Sequence, residues 1–112
     1  MELKYMKNIP GEEVLELANL VEAAPGQVVS RTLAQNDHVS ITLFAFDKGE
    51  EISTHASGGD AMVTVLEGTG RFTVDGVPHL AGKGQCLVMP AGKPHAVFAQ
   101  ERFKMLLVVV FP

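Results

Sequence analysis

The sequence predicts an all-β jelly-roll barrel with a short N-terminal helix, and three observations carry that prediction. From Gln27 onward the chain consists of short runs of Val, Ile, Thr and Phe, broken at close intervals by Gly, Asp and Pro, which is the texture of a sandwich or barrel. Only one segment has helical spacing, and it precedes those runs. The pair Asp75-Gly76, set between strand-like runs, signals a hairpin because glycine tolerates the positive φ of a tight turn.

The helical candidate is Gly11 to Ala24. Val14, Leu17, Ala18 and Val21 fall on one face, Glu12, Glu13 and Glu16 suit the first turns, and Pro25-Gly26 ends the run. Strands are expected at Val28 to Gln35, Val39 to Phe46, Glu51 to His55, Met62 to Leu66, Gly70 to Val74, Val77 to Leu80, Gln85 to Met89, His95 to Ala99 and Phe103 to Phe111. Gly49, Gly68, Gly84 and Gly92 stand at strand junctions where positive φ or close approach is expected. No repeat or low-complexity linker interrupts the series, so residues 1–26 read as an extension and 27–112 as the barrel of one domain.

Side chains two apart on a strand share a face. If His55 faces the interior, Ser53 and Ser57 face it too, and His95 shares its face with Val97 and Ala99. An outward Lys104 places Phe103, Met105 and Leu107 inside. Such an interior is apolar and adaptable and suits a small, partly apolar ligand. The Met105 to Phe111 run is too apolar to stand bare at a sheet edge, which predicts a homodimer.

With 112 residues, 46% of them hydrophobic, the chain can bury a core, and oligomerisation would add to it. A net charge of −4 and the lack of any Lys/Arg cluster argue against nucleic acid, whose non-specific binding needs clustered cations. Cys86 has no partner for an internal disulfide, so a reducing cytoplasm is expected; within its strand it reads as a small buried hydrophobe. Met1 to Pro10 lacks the apolar stretch of a signal peptide, and the apolar C-terminal run is too short to cross a bilayer.

Two glycine-led segments carry the functional argument. Gly49, His55 and Gly68 are spaced as in Gly-x5-His-x-His-x3-Glu-x6-Gly, and Gly84, Pro90, Gly92 and His95 as in Gly-x5-Pro-x-Gly-x2-His-x3-Asn. These resemble the two signature motifs of the cupin superfamily, over Gly49 to Ala99. The fold they imply is the cupin double-stranded β-helix. A Gly-Asp-Ala sequence at residues 59–61 also resembles a subgroup of small bacterial cupins. The pattern departs at three positions: Ser57 stands for the second histidine, Ala61 for the glutamate and Ala99 for the asparagine.

The resemblance implies one divalent transition metal (Fe, Mn, Ni, Zn or Cu), held by imidazoles and a carboxylate with positions open to substrate. Carried over residue by residue, His55 and His95 are its metal ligands, and Asp60, next to the glutamate position, is the candidate third. Dioxygenation, isomerisation and decarboxylation are the activities such a centre supports, and no catalytic residue is assigned. The cavity is assigned to Ser57, Ala61, Val97, Ala99 and Met105. The alternative is a metal-free binding barrel in which the histidines and Ser57 hydrogen-bond a polar ligand. His38 and His79 adjoin turns outside the motifs and read as surface residues.

Overall fold

A computed structural model describes residues 3–112. A 3-10 turn at Leu17–Leu20 precedes nine strands: β1 Val28–Gln35, β2 Val39–Phe46, β3 Glu51–His55, β4 Asp60–Glu67, β5 Thr69–Val74, β6 Val77–Gly82, β7 Cys86–Met89, β8 His95–Ala99 and β9 Phe103–Val110. They form two facing antiparallel sheets in the orders β1-β2-β9-β4-β7 and β3-β8-β5-β6, the expected all-β jelly roll. The hairpin between β5 and β6 turns at Asp75 and Gly76, both at positive φ. The four junction glycines, Gly49, Gly68, Gly84 and Gly92, are at positive φ as well.

The main core lies between the sheets and is built by alternation. Val63 and Val65 of β4, Phe72 of β5, Val97 and Ala99 of β8, and Phe103 and Met105 of β9 all point inward and are buried. Phe103 stacks on Phe46 at a ring-centroid distance of 4.6 Å and meets Phe72 of the opposite sheet edge-on at 6.0 Å. Gly70 is required beside this cluster, because a Cβ there would lie 2.8 Å from two atoms of the Phe103 ring.

Outside the five-stranded sheet, the N-terminal segment lies as a strap. Val21, Leu33, Leu43 and Ala45 form a second buried cluster, with Ile9, Leu17, Leu20 and Leu106 packed against it. The helical turn here is shorter than the spacing of residues 11–24 predicts, and Val14 is fully exposed. Glu16 and Val21 on either side of the turn are extended, and Glu12 has a positive φ. Two carbonyls that an α-helix would use internally, Ala18 O and Leu20 O, accept instead from side chains of the sheet. Arg31 donates to Asn8 O and Leu20 O (2.7 and 2.6 Å), and Lys104 Nζ donates to Ala18 O (2.7 Å). A short isolated helix is marginal in water, so these charge-assisted bonds decide the conformation.

Two further expectations are corrected. The apolar C-terminal strand, β9, is central in its sheet, between β2 and β4, and has no bare edge. Cys86 is exposed, because Met89 points into the core and alternation along β7 turns Cys86 and Val88 outward. Among the described residues, no helix is long and apolar enough to cross a membrane. His38 and His79 are exposed.

Phe103→Ala removes a ring that contacts Phe46 in its own sheet and Phe72 in the opposite one. It is expected to cost about 3–5 kcal/mol of unfolding free energy, read from the urea midpoint; a loss under about 1 kcal/mol would remove this cluster as the centre of the core.

Candidate functional site

His55 ends β3 and His95 begins β8, and the two are register partners in the four-stranded sheet. Their ring centroids are 4.3 Å apart, with the planes at 69°. Each imidazole is fastened through Nδ1 to the carbonyl two residues before it, Ser53 O at 2.9 Å and Lys93 O at 3.2 Å. A carbonyl oxygen only accepts, so both bonds assign the ring proton to Nδ1 and leave a lone pair on Nε2. Among the described residues neither Nε2 has a protein partner, and no buried side-chain nitrogen or oxygen lacks one. The Nε2 of His95, a residue only 4% exposed, therefore opens on a space that solvent can reach.

That space is a cavity of about 110 Å³ lined by Ile52, His55, Ser57, Ala61, Met89, His95, Val97, Met105, Leu107 and Val109. Its walls are apolar apart from the two imidazoles and the Ser57 hydroxyl, which accepts from Gly59 N at 3.2 Å. A larger recess of about 440 Å³ lies elsewhere, along Glu22, Glu67, Glu101, Arg102 and Lys104. There Lys104 is already bound to Glu22 and Glu67 (3.3 and 3.0 Å) and Arg102 to Asp47 (3.0 Å), so both cations of the recess are paired.

Backbone contacts bring the histidines together. Gly92 N, in the turn before His95, donates to Ser57 O at 2.9 Å, and Ala91 N donates to the Asp60 carboxylate at 2.8 Å. The loop after His55 is thus tied to the turn before His95 by two hydrogen bonds.

The structure groups Ser57, Ala61, Val97 and Met105 with the histidines around one cavity. Ala99 is not in that lining; it is fully buried in the core, and its backbone bonds to Gly49 and Glu50. Asp60 is exposed and faces away from the histidines, because the inward position of β4 belongs to Ala61 and Asp60 is engaged with Ala91 N. Ser53 is exposed too: the β3–β8 register shifts between Ile52 and His55, which breaks simple alternation. Ile52 and Met89 were not foreseen. Val109, also in the lining, continues the inward alternation of Phe103, Met105 and Leu107 along β9, whereas Ile52 depends on the irregularity in β3.

The ligand set implied for a divalent ion fits only in part. Two imidazoles present Nε2 to the cavity with Nδ1 fixed from behind, as ligating histidines are. The carboxylate position is the methyl of Ala61, and among the described residues no three His, Cys, Asp or Glu side chains converge. Two neutral nitrogens do not complete the three- or four-donor set of a resident divalent centre.

The model of the cupin domain family matches residues 42–111. A conserved protein of unknown function from Streptococcus pyogenes is 48% identical, with a TM-score of 0.95 over 98% of this chain and 96% of that one. A cupin superfamily protein from Desulfitobacterium hafniense is 38% identical, with a TM-score of 0.92 over 97% of this chain and all of that one (100%). Salicylate 1,2-dioxygenase from Pseudoaminobacter salicylatoxidans, at 20% identity and a TM-score of 0.70 over 78% of this chain and 25% of that one, shares the fold. No curated protein matches the chain.

Burial, and next the adjacent His55, hold the pKa of His95 below the ordinary imidazole value, while the Lys93 carbonyl pulls the other way. In the unfolded chain the ring takes up its proton near about pH 6.5, so acid favours the unfolded state. The contribution is complete above that pH and is lost as the pH falls through it toward the depressed native value. Unfolding free energies at about pH 7.5 and about pH 5.5 should therefore differ more in the wild type than in His95→Gln. An equal or larger difference in the variant would show that His95 is not the group responsible.

Proposed function

The chain belongs to the cupin family, and from that premise we propose that it is a small-molecule binding barrel whose ligand occupies the cavity at His55 and His95 without a resident metal. The observation that carries this reading is the cavity itself: an apolar lining in which, among the described residues, two Nε2 lone pairs and one hydroxyl are the polar groups and no carboxylate takes part. A pocket with few, convergent polar groups is the usual form of a small-molecule site. The fold alone assigns no reaction, since one superfold hosts many activities.

A metal-dependent oxygenase, isomerase or decarboxylase is the second reading. What favours it is the fastening of both Nδ1 atoms, the orientation that a ligating histidine needs. In that reading His55 and His95 would hold the ion, which would supply Lewis-acid or redox chemistry, and Ser57 and the apolar walls would position the substrate.

We also place a second copy of the chain on the outer face of the five-stranded sheet, as a homodimer. The strap covers one part of that face. A cross-strand row runs from Ile41, which packs against the strap cluster, through Val108 to Met62 and Val88, which are 41% and 53% exposed. A bare apolar row that continues a covered one is supported as an interface by the cost of leaving it in water. The cytoplasm remains the expected location, supported by the single cysteine.

Elemental analysis after exposure to Fe, Mn, Ni, Zn and Cu, with His55→Ala as control, is expected to find no stoichiometric metal in either protein. About one metal per chain in the wild type, lost in the variant, would replace the binding reading with the metal-centred one. Light scattering after gel filtration should give a dimer that Val88→Glu converts to monomer; a wild-type monomer would refute the interface.

A further inference from the structure

We infer that the cavity selects an uncharged hydrogen-bond donor carried on a small apolar body, recognised by the paired Nε2 acceptors of His55 and His95. The inference rests on the reading of this cavity as a small-molecule site and adds the chemical class of its occupant.

The tautomers set the polarity. With both Nδ1–H groups donating to Ser53 O and Lys93 O, each ring offers the cavity an acceptor only. The ring centroids lie 4.3 Å apart and both residues line the one cavity, so the small space is bordered by two acceptors. A group that brings a proton there, a hydroxyl or an amino group, meets their hydrogen-bonding need. A group that brings only lone pairs adds to them. The Ser57 oxygen already accepts from Gly59 N, which leaves its O–H to donate to an oxygen or nitrogen of the ligand at the rim.

Charge of either sign is disfavoured by what the lining lacks. No Lys or Arg lines the cavity to pair with a carboxylate or phosphate, and the nearby Lys93 is exposed and bound to Asp75 at 3.4 Å. Among the described residues no carboxylate lines it to pair with an ammonium, since Asp60 lies outside and accepts from Ala91 N. An ion entering an apolar cavity without a counter-charge loses more hydration than the site returns.

Size narrows the class further. The cavity holds about 110 Å³, whereas a dry apolar cavity of ~150 Å³ takes up benzene. An occupant of about six or seven heavy atoms fits if it partly fills the mouth at His55, which is exposed. Its apolar body would lie against Ile52, Met89, Met105 and Leu107.

The full-length protein tests this with phenol and toluene, which are matched in size, and with benzoate, a larger anion, titrated near neutral pH while amide and methionine methyl resonances are followed by NMR. Phenol is expected to shift the resonances of Met89, Val97 and Met105, with toluene at least about tenfold weaker because the imidazoles then stay unpaired, and benzoate silent. In His55→Leu, whose fold the same spectra report, phenol should weaken toward toluene. If toluene binds as tightly as phenol at those resonances, the cavity takes small molecules but the imidazoles do not select them, and the inference fails alone. If benzoate binds tightest, the assignment of charge is wrong. If none of the three moves these resonances, the small-molecule reading of the cavity falls with it.

Discussion

Phe103 is the contact on which the barrel closes. It belongs to β9, the middle strand of the larger sheet, stacks on Phe46 of the neighbouring β2, and meets Phe72 from the opposite sheet. Three fully buried rings fill one end of the space between the sheets. At the other end the inward positions carry smaller or more flexible side chains: Ala61, Val97, Val109 and Met89. Close packing at one end and a shortage of volume at the other make a cavity without any loosening of the backbone. The same gradient explains Gly70, which gives up its side chain so that the Phe103 ring can lie against β5.

The cavity acquires its chemistry from main-chain geometry more than from side-chain charge. Each imidazole is held by the carbonyl two residues before it, within β3 for His55 and in the turn before β8 for His95, and the two strand ends are joined where Gly92 N meets Ser57 O and Ala91 N meets Asp60. Asp60 thus acts as a fastener. It satisfies a backbone donor of the turn that leads into His95, which keeps the histidine in place without contributing charge to the cavity. In the resemblance motif the next position carries a metal-binding carboxylate; here it is the methyl of Ala61. The substitution removes a negative charge and adds room, and both changes suit a neutral guest better than a divalent cation.

Much of the fold could be read from the sequence because each strand has one face against the core. That constraint writes itself as alternation, as in Val63, Val65 and the flanking exposed Met62, and the turns write themselves as glycines at positive φ. What could not be read depended on partners far along the chain. The spacing of Val14, Leu17 and Val21 looks helical in isolation, yet Arg31 and Lys104 take the carbonyls that the helix would need. Ser53 and Cys86 were misplaced for a local reason: a register shift in β3 and the phase of a four-residue strand each reverse the face of a side chain. His55 and His95 were visible as a pair through their motif glycines, but Asp60 was not visible as a turn fastener, because its partner is a backbone amide of Ala91.

Lys104 shows how the outer face is organised around the same central strand. Alternation turns it away from the core, but the strap closes over it and leaves its side chain only 13% exposed. Burial pulls its pKa down, and the hydrogen bonds to Glu67 and Glu22 outweigh that pull and hold it above the ordinary lysine value. The ammonium also binds Ala18 O, so one cation satisfies two carboxylates and a strap carbonyl. A partly buried charge with this many partners helps fix where the strap crosses β9, because shifting the strap by one residue would cost the ammonium its Ala18 and Glu22 partners and leave it with Glu67 of β4. The strap therefore covers the Leu43 and Leu106 end of the sheet and stops short of Met62 and Val88, held there by Lys104 on β9 together with Arg31 on β1, which binds Asn8 O and Leu20 O.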